Sequence, residues 1–122
     1  RHALEVRHES FAVPEFVALA RKHKLAIVHA QGEDYPEIDE ATAGFSYLRI
    51  MTSASNLAQG FKPAAIAKLA DIARAKAARG DVFLYFISGA KERNPAAATA
   101  FLKVLQGSGK PAKVSRPRAP RR

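Results

Sequence analysis

The amino-acid sequence predicts a single α/β domain built from parallel βα units. Short apolar runs rich in β-branched and aromatic residues alternate with longer amphipathic segments, which is typical of parallel strands joined by right-handed helical crossovers. The chain has 122 residues, of which 48% are hydrophobic, enough for one domain with a modest core. It contains no cysteine, which excludes disulfides, thiol nucleophiles and cysteine-ligated metals.

The first half of the chain carries two strands and one helix. Residues 3–6 are the first predicted strand. Residues 14–23 form a helix, because Pro14 suits the first helical position and apolar side chains recur on one face. The apolar run 25–29 is the second strand. Residues 30–43 are acidic and rich in turn-forming residues, so we expect a solvated loop there.

The next unit has the clearest periodicity. Residues 44–51 are the third predicted strand, and residues 63–79 are a helix that Pro63 opens and Gly80 closes. Residues 81–87 are the fourth strand. The order strand, helix, strand again favours parallel pairing.

A loop and a last helix complete the ordered region. Asn94 is expected to cap a helix that runs over residues 95–106. The preceding loop, residues 88–94, would present free backbone N–H groups near Lys91 and Arg93, an arrangement that suits an anion. The loop lacks the spacing of a Walker motif. The alternative is an ordinary turn with two solvated cations.

Charged side chains lie inside two strands that a helix-covered parallel sheet would keep apolar. Glu5 and Arg7 share one face of the first strand, and Tyr47 and Arg49 share one face of the third, opposite Leu48. Buried charges must pair or reach water. One interpretation is an ion pair of Glu5 with Arg7 or Arg49 that only supports the fold. The other is a ligand site at the C-terminal mouth of a barrel.

The segments ALEVRHESF, FSYLRIM and DVFLYFISGAKERNPAAATAFLKVL together resemble the C-terminal half of the YecE-like proteins, known as domain of unknown function 72. The resemblance runs from about Leu4 to Leu105. It implies a TIM-type (β/α)8 barrel of about 250 residues, of which these units would be the last half, with no established biochemical activity. Residues 1–107 would then be a partial barrel domain.

The family motifs fall on the charged and aromatic positions. They match, in this sequence, Glu5, Arg7, His8, Ser10, Tyr47, Arg49, Tyr85 and Phe86. Two segments depart from the family pattern: many members continue the third strand as R-x-H-G and end the last strand in two asparagines. Here the chain reads Arg49-Ile50-Met51-Thr52 and Ile87-Ser88, so no role is carried over from that histidine or those amides.

These observations lead to one functional hypothesis. The barrel mouth would bind a small anionic ligand, phosphorylated compounds included, through Arg7, Tyr47, Arg49, Tyr85, Ser88 and Lys91. Glu5 and His8 are the candidates for orienting the ligand or exchanging protons. No pair of carboxylates or set of metal ligands indicates hydrolysis of a phosphate or glycosidic bond, so the sequence assigns no reaction.

Histidines raise the question of a metal. His8 and His29 end successive strands and, with Glu9 or Asp34, could ligate one. The four histidines lack the H-x-x-x-H and H-E-x-x-H spacings. Hydrogen-bonded or solvated histidines are therefore expected, and neither a metal nor a cofactor is predicted.

The basic charge is concentrated at one end. The chain has a net charge of +9, and residues 110–122 carry six basic and no acidic groups, which leaves +3 on the rest. Residues 108–122 are predicted to be a disordered basic tail. Weak nucleic-acid contact by this tail is an alternative function, although the tail has no aromatic residue to stack on bases.

Partners and location follow from the same features. No apolar run reaches the roughly 18 residues of a membrane span, so no membrane partner is expected. The lack of cysteine suits the cytoplasm. A half barrel would leave open strand edges, which predicts either a missing N-terminal half or self-association. An inactive half domain is the third functional alternative.

Overall fold

The computed structural model describes residues 1–107, and the predicted basic tail lies outside the described residues. Short 3-10 turns occur at Glu9–Phe11 and Lys91–Arg93. None of the helices within residues 1–107 is long and apolar enough to cross a membrane. The regular elements are, in chain order, β1 (Ala3–Leu4), α1 (Pro14–Lys22), β2 (Ala26–Ile27), β3 (His29–Gln31), β4 (Phe45–Ile50), α2 (Pro63–Ala77), β5 (Asp81–Phe86) and α3 (Asn94–Gly107).

The strands pair in chain order and all pairs are parallel. β1 pairs with β2, and β3, β4 and β5 form a three-stranded ladder. The predicted second strand is thus divided at Val28, whose amide donates to the carbonyl of Leu4 at 2.9 Å. The prediction of an α/β fold with parallel βα units is confirmed. The described residues leave the sheet open and do not close a barrel.

Helices α2 and α3 cover one face of the three-stranded ladder. Leu48 and Ile50 of β4 are fully buried beneath them. Each large apolar side chain buried in this way contributes about 1.5–3 kcal/mol. The buried residues that complete this core are Ile66, Leu69, Ala70, Ala73, Ala100 and Phe101.

Residues 30–43 are more tightly held than predicted. Ile38, within the acidic run, is buried in a second core with Val6, Ala20 and Ile27. The hydroxyl of Thr42 donates to the carbonyl of Leu25 at 2.6 Å and accepts from the amide of Ile27 at 3.2 Å. The prediction of a solvated loop was therefore wrong in part, because one apolar and one hydroxyl side chain anchor the segment to β2. We call residues 32–43 the strap.

Gly80 allows β5 to begin close to β4. Its φ angle is +155°, and a Cβ placed there would lie 2.1 Å from the carbonyl oxygen of Gly44. The first residues of the two strands, Phe45 and Asp81, are register partners. Only a residue without a side chain permits this approach.

Candidate functional site

The face of the sheet opposite α2 and α3, here called the open face, carries the polar side chains that the sequence singled out. Successive residues of a strand point to opposite faces, so burial of Leu48 and Ile50 beneath the helices places Tyr47 and Arg49 on the other side. The register pairs Tyr47 with Phe83 and Arg49 with Tyr85. The open face borders a hollow of about 830 Å³, lined by Arg1, Ala3, Glu5, Arg7, Val28, Phe45, Tyr47, Arg49, Phe83 and Tyr85.

Glu5 is the centre of the charged part of this hollow. Its Oε1 accepts a hydrogen bond from Nη1 of Arg49 at 2.5 Å. Its Oε2 accepts from Nε and Nη2 of Arg7 at 3.1 and 3.0 Å. The side chains of Glu5 and Arg49 are 13% and 21% exposed, whereas that of Arg7 is 60% exposed. Both ion pairs anticipated from the sequence are therefore formed at once, around one carboxylate.

The two arginines hold Glu5 in its charged form. Burial raises the pKa of this carboxyl, but the hydrogen bonds and charges of Arg49 and Arg7 lower it more, and the net pKa lies below the ordinary value. A carboxylate with a lowered pKa is a weak general base near neutral pH. The geometry therefore favours an ion-pairing role for Glu5 over proton transfer.

Arg7 has a second partner that sequence analysis missed. Its guanidinium lies over the ring of Tyr35, 4.8 Å from the ring centroid, a cation–π contact. Tyr35 belongs to the strap, which the sequence predicts to be solvated. No periodic pattern marks this residue, because its position depends on the course of an irregular segment.

Four aromatic rings, here called the aromatic row, extend along the open face. Phe45 meets Phe83 edge to face at 6.0 Å between centroids. Tyr47 stacks on Phe83 at 6.3 Å and on Tyr85 at 5.2 Å, with 29° between the planes of the two tyrosines. Tyr85 is 47% exposed. The row therefore ends beside Arg49 in a ring that a ligand can reach.

A separate ion pair occupies the amino-terminal end of the open face. Nη1 of Arg1 lies 2.7 Å from Oδ2 of Asp81. The same guanidinium lies over Phe45 and Phe83, at 5.4 and 5.3 Å from their centroids. The open face is thus aromatic in the middle and charged at both ends. Sequence analysis did not single out Arg1 as a site residue.

His8 lies in a local turn. Its Nδ1 accepts from the amide of Ser10 at 3.2 Å and is 2.8 Å from the Ser10 hydroxyl, so it caps the 3-10 turn that follows β1. The residues that line the large hollow, among residues 1–107, do not include His8. Its expected part in orienting the ligand or exchanging protons remains a prediction.

His29 lies on the helix-covered side of the sheet, since its register partner is the buried Leu48. Its Nε2 is 2.8 Å from Oε1 of Glu37 and its Nδ1 is 3.6 Å from Oδ1 of Asp39. Asp39 also pairs with Lys76 of α2. Hydrogen-bonded histidines were expected, and this is confirmed for His8 and His29. Within residues 1–107 no group of histidines and carboxylates is arranged to hold a metal.

Asp39 is held in its charged form. Burial raises the pKa of Asp39, but the hydrogen bond from Lys76 and the neighbouring charges of His29, Lys76 and Arg79 lower it below its ordinary value. This network fastens the strap to α2 on the side of the sheet away from the hollow.

The loop over residues 88–94 is braced by its neighbours. The Asn94 side chain donates to the carbonyl of Ser88 at 2.9 Å and accepts from the Ser53 hydroxyl at 2.7 Å. Arg93, expected to stand near an anion, donates from Nε to the carbonyl of Ser55 at 3.0 Å. Asn94 is the first residue of α3. Its bond with Ser53 joins two loops and its bond to Ser88 stays within loop 88–94, so neither is the helix cap that the sequence predicts.

Ser88 borders a different hollow, of about 390 Å³, together with Gly32, Glu33, Asp34, Tyr35, Met51, Thr52, Ser53 and Gly89. Lys91 is exposed in the following 3-10 turn. The structure therefore brings together Glu5, Arg7, Tyr47, Arg49 and Tyr85. It places Ser88 and Lys91 outside the large hollow.

Comparison with known proteins gives a family and a fold. A family model described as a protein of unknown function, DUF72, matches residues 1–122. Two crystal structures of a DUF72 family protein from Enterococcus faecalis V583, at 2.52 and 3.10 Å resolution, resemble this chain with a TM-score of 0.68 and 17% identity. The matches cover 84% and 88% of this chain but 47% and 48% of those chains, so this chain spans about half their length. No curated protein sequence matches it.

Proposed function

Since the chain belongs to DUF72, a family of unknown function, we propose that it is the C-terminal half of a TIM-type barrel whose mouth binds a small anionic ligand. Parallel strands in chain order support the barrel, because a (β/α)8 barrel has that order throughout. The match to about half of the length of the related chains from Enterococcus faecalis supports the proposal that these units form one half of a barrel. The open face would then be the inner wall of the barrel.

The main support for the ligand site is that two arginines share one carboxylate. Arg49 lies near the carboxyl end of β4 and Arg7 follows β1, which is the end where barrel enzymes bind their ligands. Glu5 neutralises one of the two cations, so the group retains a net positive charge. Guanidinium groups recognise carboxylates and phosphates through paired hydrogen bonds.

Isothermal titration with a panel of anions, including acetate, benzoate, sulfate and inorganic phosphate, tests the ligand site. We expect at least one anion to bind and Arg49→Ala to weaken it by about 10-fold to 100-fold, the value of one or two hydrogen bonds to a charged group. Arg21→Ala on α1 removes the same charge from the outer surface and is the control. Ionic strength is held constant.

Failure of every anion to bind, or equal losses in the two variants, would exclude the arginine site. Truncation of residues 110–122 addresses the alternative of nucleic-acid binding. If the truncation abolishes binding of a single-stranded oligonucleotide while Arg49→Ala leaves it unchanged, the tail alone contacts nucleic acid.

Light scattering with a thermal melt tests the half barrel. Its open edges predict that the chain associates with a copy of itself or needs a further segment for a cooperative transition. A compact monomer that melts cooperatively would contradict this part of the proposal and would leave the ligand site to be judged by titration.

A further inference from the structure

The arrangement of donors around Glu5 constrains the charge of a ligand. The two carboxylate oxygens are divided between the arginines, Oε1 facing Arg49 and Oε2 facing Arg7. Each guanidinium has five N–H donors, and Glu5 engages one nitrogen of Arg49 and two of Arg7. Donors therefore remain for a ligand while Glu5 stays in place.

Charge balance then limits what can bind. Two guanidinium groups and one carboxylate leave a single net positive charge, and Glu5 and Arg49 are largely shielded from water. A singly charged anion would neutralise the group. A dianion would leave an excess negative charge beside the Glu5 carboxylate, and the two like charges would repel each other.

The aromatic row adds a requirement on shape. Arg49 is the register partner of Tyr85, and Tyr85 stacks on Tyr47 and is about half exposed as a residue. A flat ring attached to the anionic group can lie on the exposed tyrosine while the charge meets the arginines. Offset stacking of aromatic rings is favourable beyond the area that it buries, which supports this placement.

We propose that Glu5 is a fixed counter-anion that makes the site selective for a singly charged ligand bearing a flat ring, such as an aromatic carboxylate. This inference rests on the proposed anion site and narrows its ligand class. Glu5 acts as a specificity-determining residue in this scheme. The two arginines supply the binding energy, and Tyr85 supplies the platform.

Titration of benzoate, acetate and sulfate into the wild-type protein at pH 7.5 and constant ionic strength tests the selectivity. We expect benzoate to bind most tightly and sulfate least tightly. Glu5→Gln removes the counter-anion with little change in shape, and should raise sulfate affinity relative to acetate by about tenfold. Glu40→Gln, which removes an exposed carboxylate beside Arg21, should leave the ratio unchanged.

Tyr85→Leu tests the platform. It should weaken benzoate and leave acetate binding unchanged, because acetate has no ring to stack. Equal weakening of benzoate and acetate binding would show that the site does not select for a ring.

The outcomes distinguish a failure of this inference from a failure of the proposed anion site. Binding of none of the three anions overturns the proposed site itself. Anion binding with an unchanged sulfate-to-acetate ratio in Glu5→Gln overturns the selectivity and leaves the site standing. Should Glu5→Gln fail to fold, the wild-type order decides: sulfate tighter than acetate overturns the role of Glu5.

Discussion

Glu5 and Arg49 meet across the open face, with the carboxylate Oε1 2.5 Å from Nη1 of the guanidinium. The two residues are 44 positions apart in the sequence. Glu5 follows β1 and Arg49 lies in β4, two strands that do not pair with each other. The ion pair therefore connects two strands that share no backbone hydrogen bonds, and both of its residues line the hollow.

Arg49→Ala should reduce stability more than loss of a surface ion pair. It leaves the largely buried Glu5 with only the exposed Arg7 as partner, and we expect a loss of about 1–3 kcal/mol in the free energy of unfolding. Urea denaturation measures this loss. Arg21→Ala breaks an exposed pair with Glu40 at 3.9 Å and should cost less than about 1 kcal/mol. Equal losses would show that the Glu5–Arg49 pair contributes no more to the free energy of unfolding than an exposed ion pair does.

Stability should fall in acid. The pKa values of Glu5 and Asp39 are held below the ordinary values of 4.5 and 3.8. A carboxyl whose pKa is lower in the folded than in the unfolded protein stabilises the fold above the unfolded pKa, and this contribution is lost as the pH falls through the folded pKa. Urea midpoints should therefore be constant near neutral pH and decline below about pH 5.

The same titration can be assigned to one residue. Glu5→Gln should be less stable than the wild type near neutral pH but should lose less stability on acidification. Glu40→Gln should keep the wild-type dependence. A Glu5→Gln curve parallel to that of the wild type would show that Glu5 does not contribute to the acid response.

Gly80→Ala should destabilise the protein by about 2 kcal/mol or more, since it combines an unfavourable backbone angle with a backbone clash. The added Cβ would lie 2.1 Å from the carbonyl oxygen of Gly44. Gly44→Ala is the matched control, because a Cβ at that position meets nothing within 4 Å. Thermal melts of the two variants provide the comparison, and equal melting temperatures would contradict the close approach of β4 and β5.

Leu48→Ala should cost about 2–5 kcal/mol by leaving a cavity in the main core. Leu102→Ala, at a side chain that is 52% exposed on α3, should cost far less. Urea denaturation distinguishes them. A small effect of Leu48→Ala would mean that α2 and α3 do not pack against β4 as described.

Alternation within strands predicted the composition of the open face. Because side chains alternate strictly along β4, the apolar Leu48 was sufficient to place Tyr47 and Arg49 on the other side. The same alternation placed Glu5 and Arg7 together, although both lie beyond Leu4, the last residue of β1, on either side of the buried Val6. This part of the site could be predicted from the two-residue period of strands and from parallel pairing alone.

The course of the irregular segments could not be predicted from alternation within strands. Tyr35 reaches Arg7 through the strap, whose course depends on burial of Ile38 and on hydrogen bonds of Thr42. A single apolar residue in an acidic run produces no periodic signal, so the sequence predicts a solvated strap. The position of loop 88–94 was likewise not predictable, because it depends on a bond from the Ser53 hydroxyl of another loop to Asn94 and on a bond from Asn94 to Ser88 within the loop.

The ion pairs of the open face also bear on the order of folding. Arg1 and Asp81 are 80 residues apart, nearly twice the separation of Glu5 and Arg49. Closing a longer loop costs more conformational entropy, and non-local contacts slow folding. During synthesis the end of the hollow at Glu5 and Arg49 can assemble while β5 is still untranslated. The end at Arg1 must wait for Asp81 of β5. We therefore expect the Glu5–Arg49 ion pair to form earlier in the nascent chain than the Arg1–Asp81 pair.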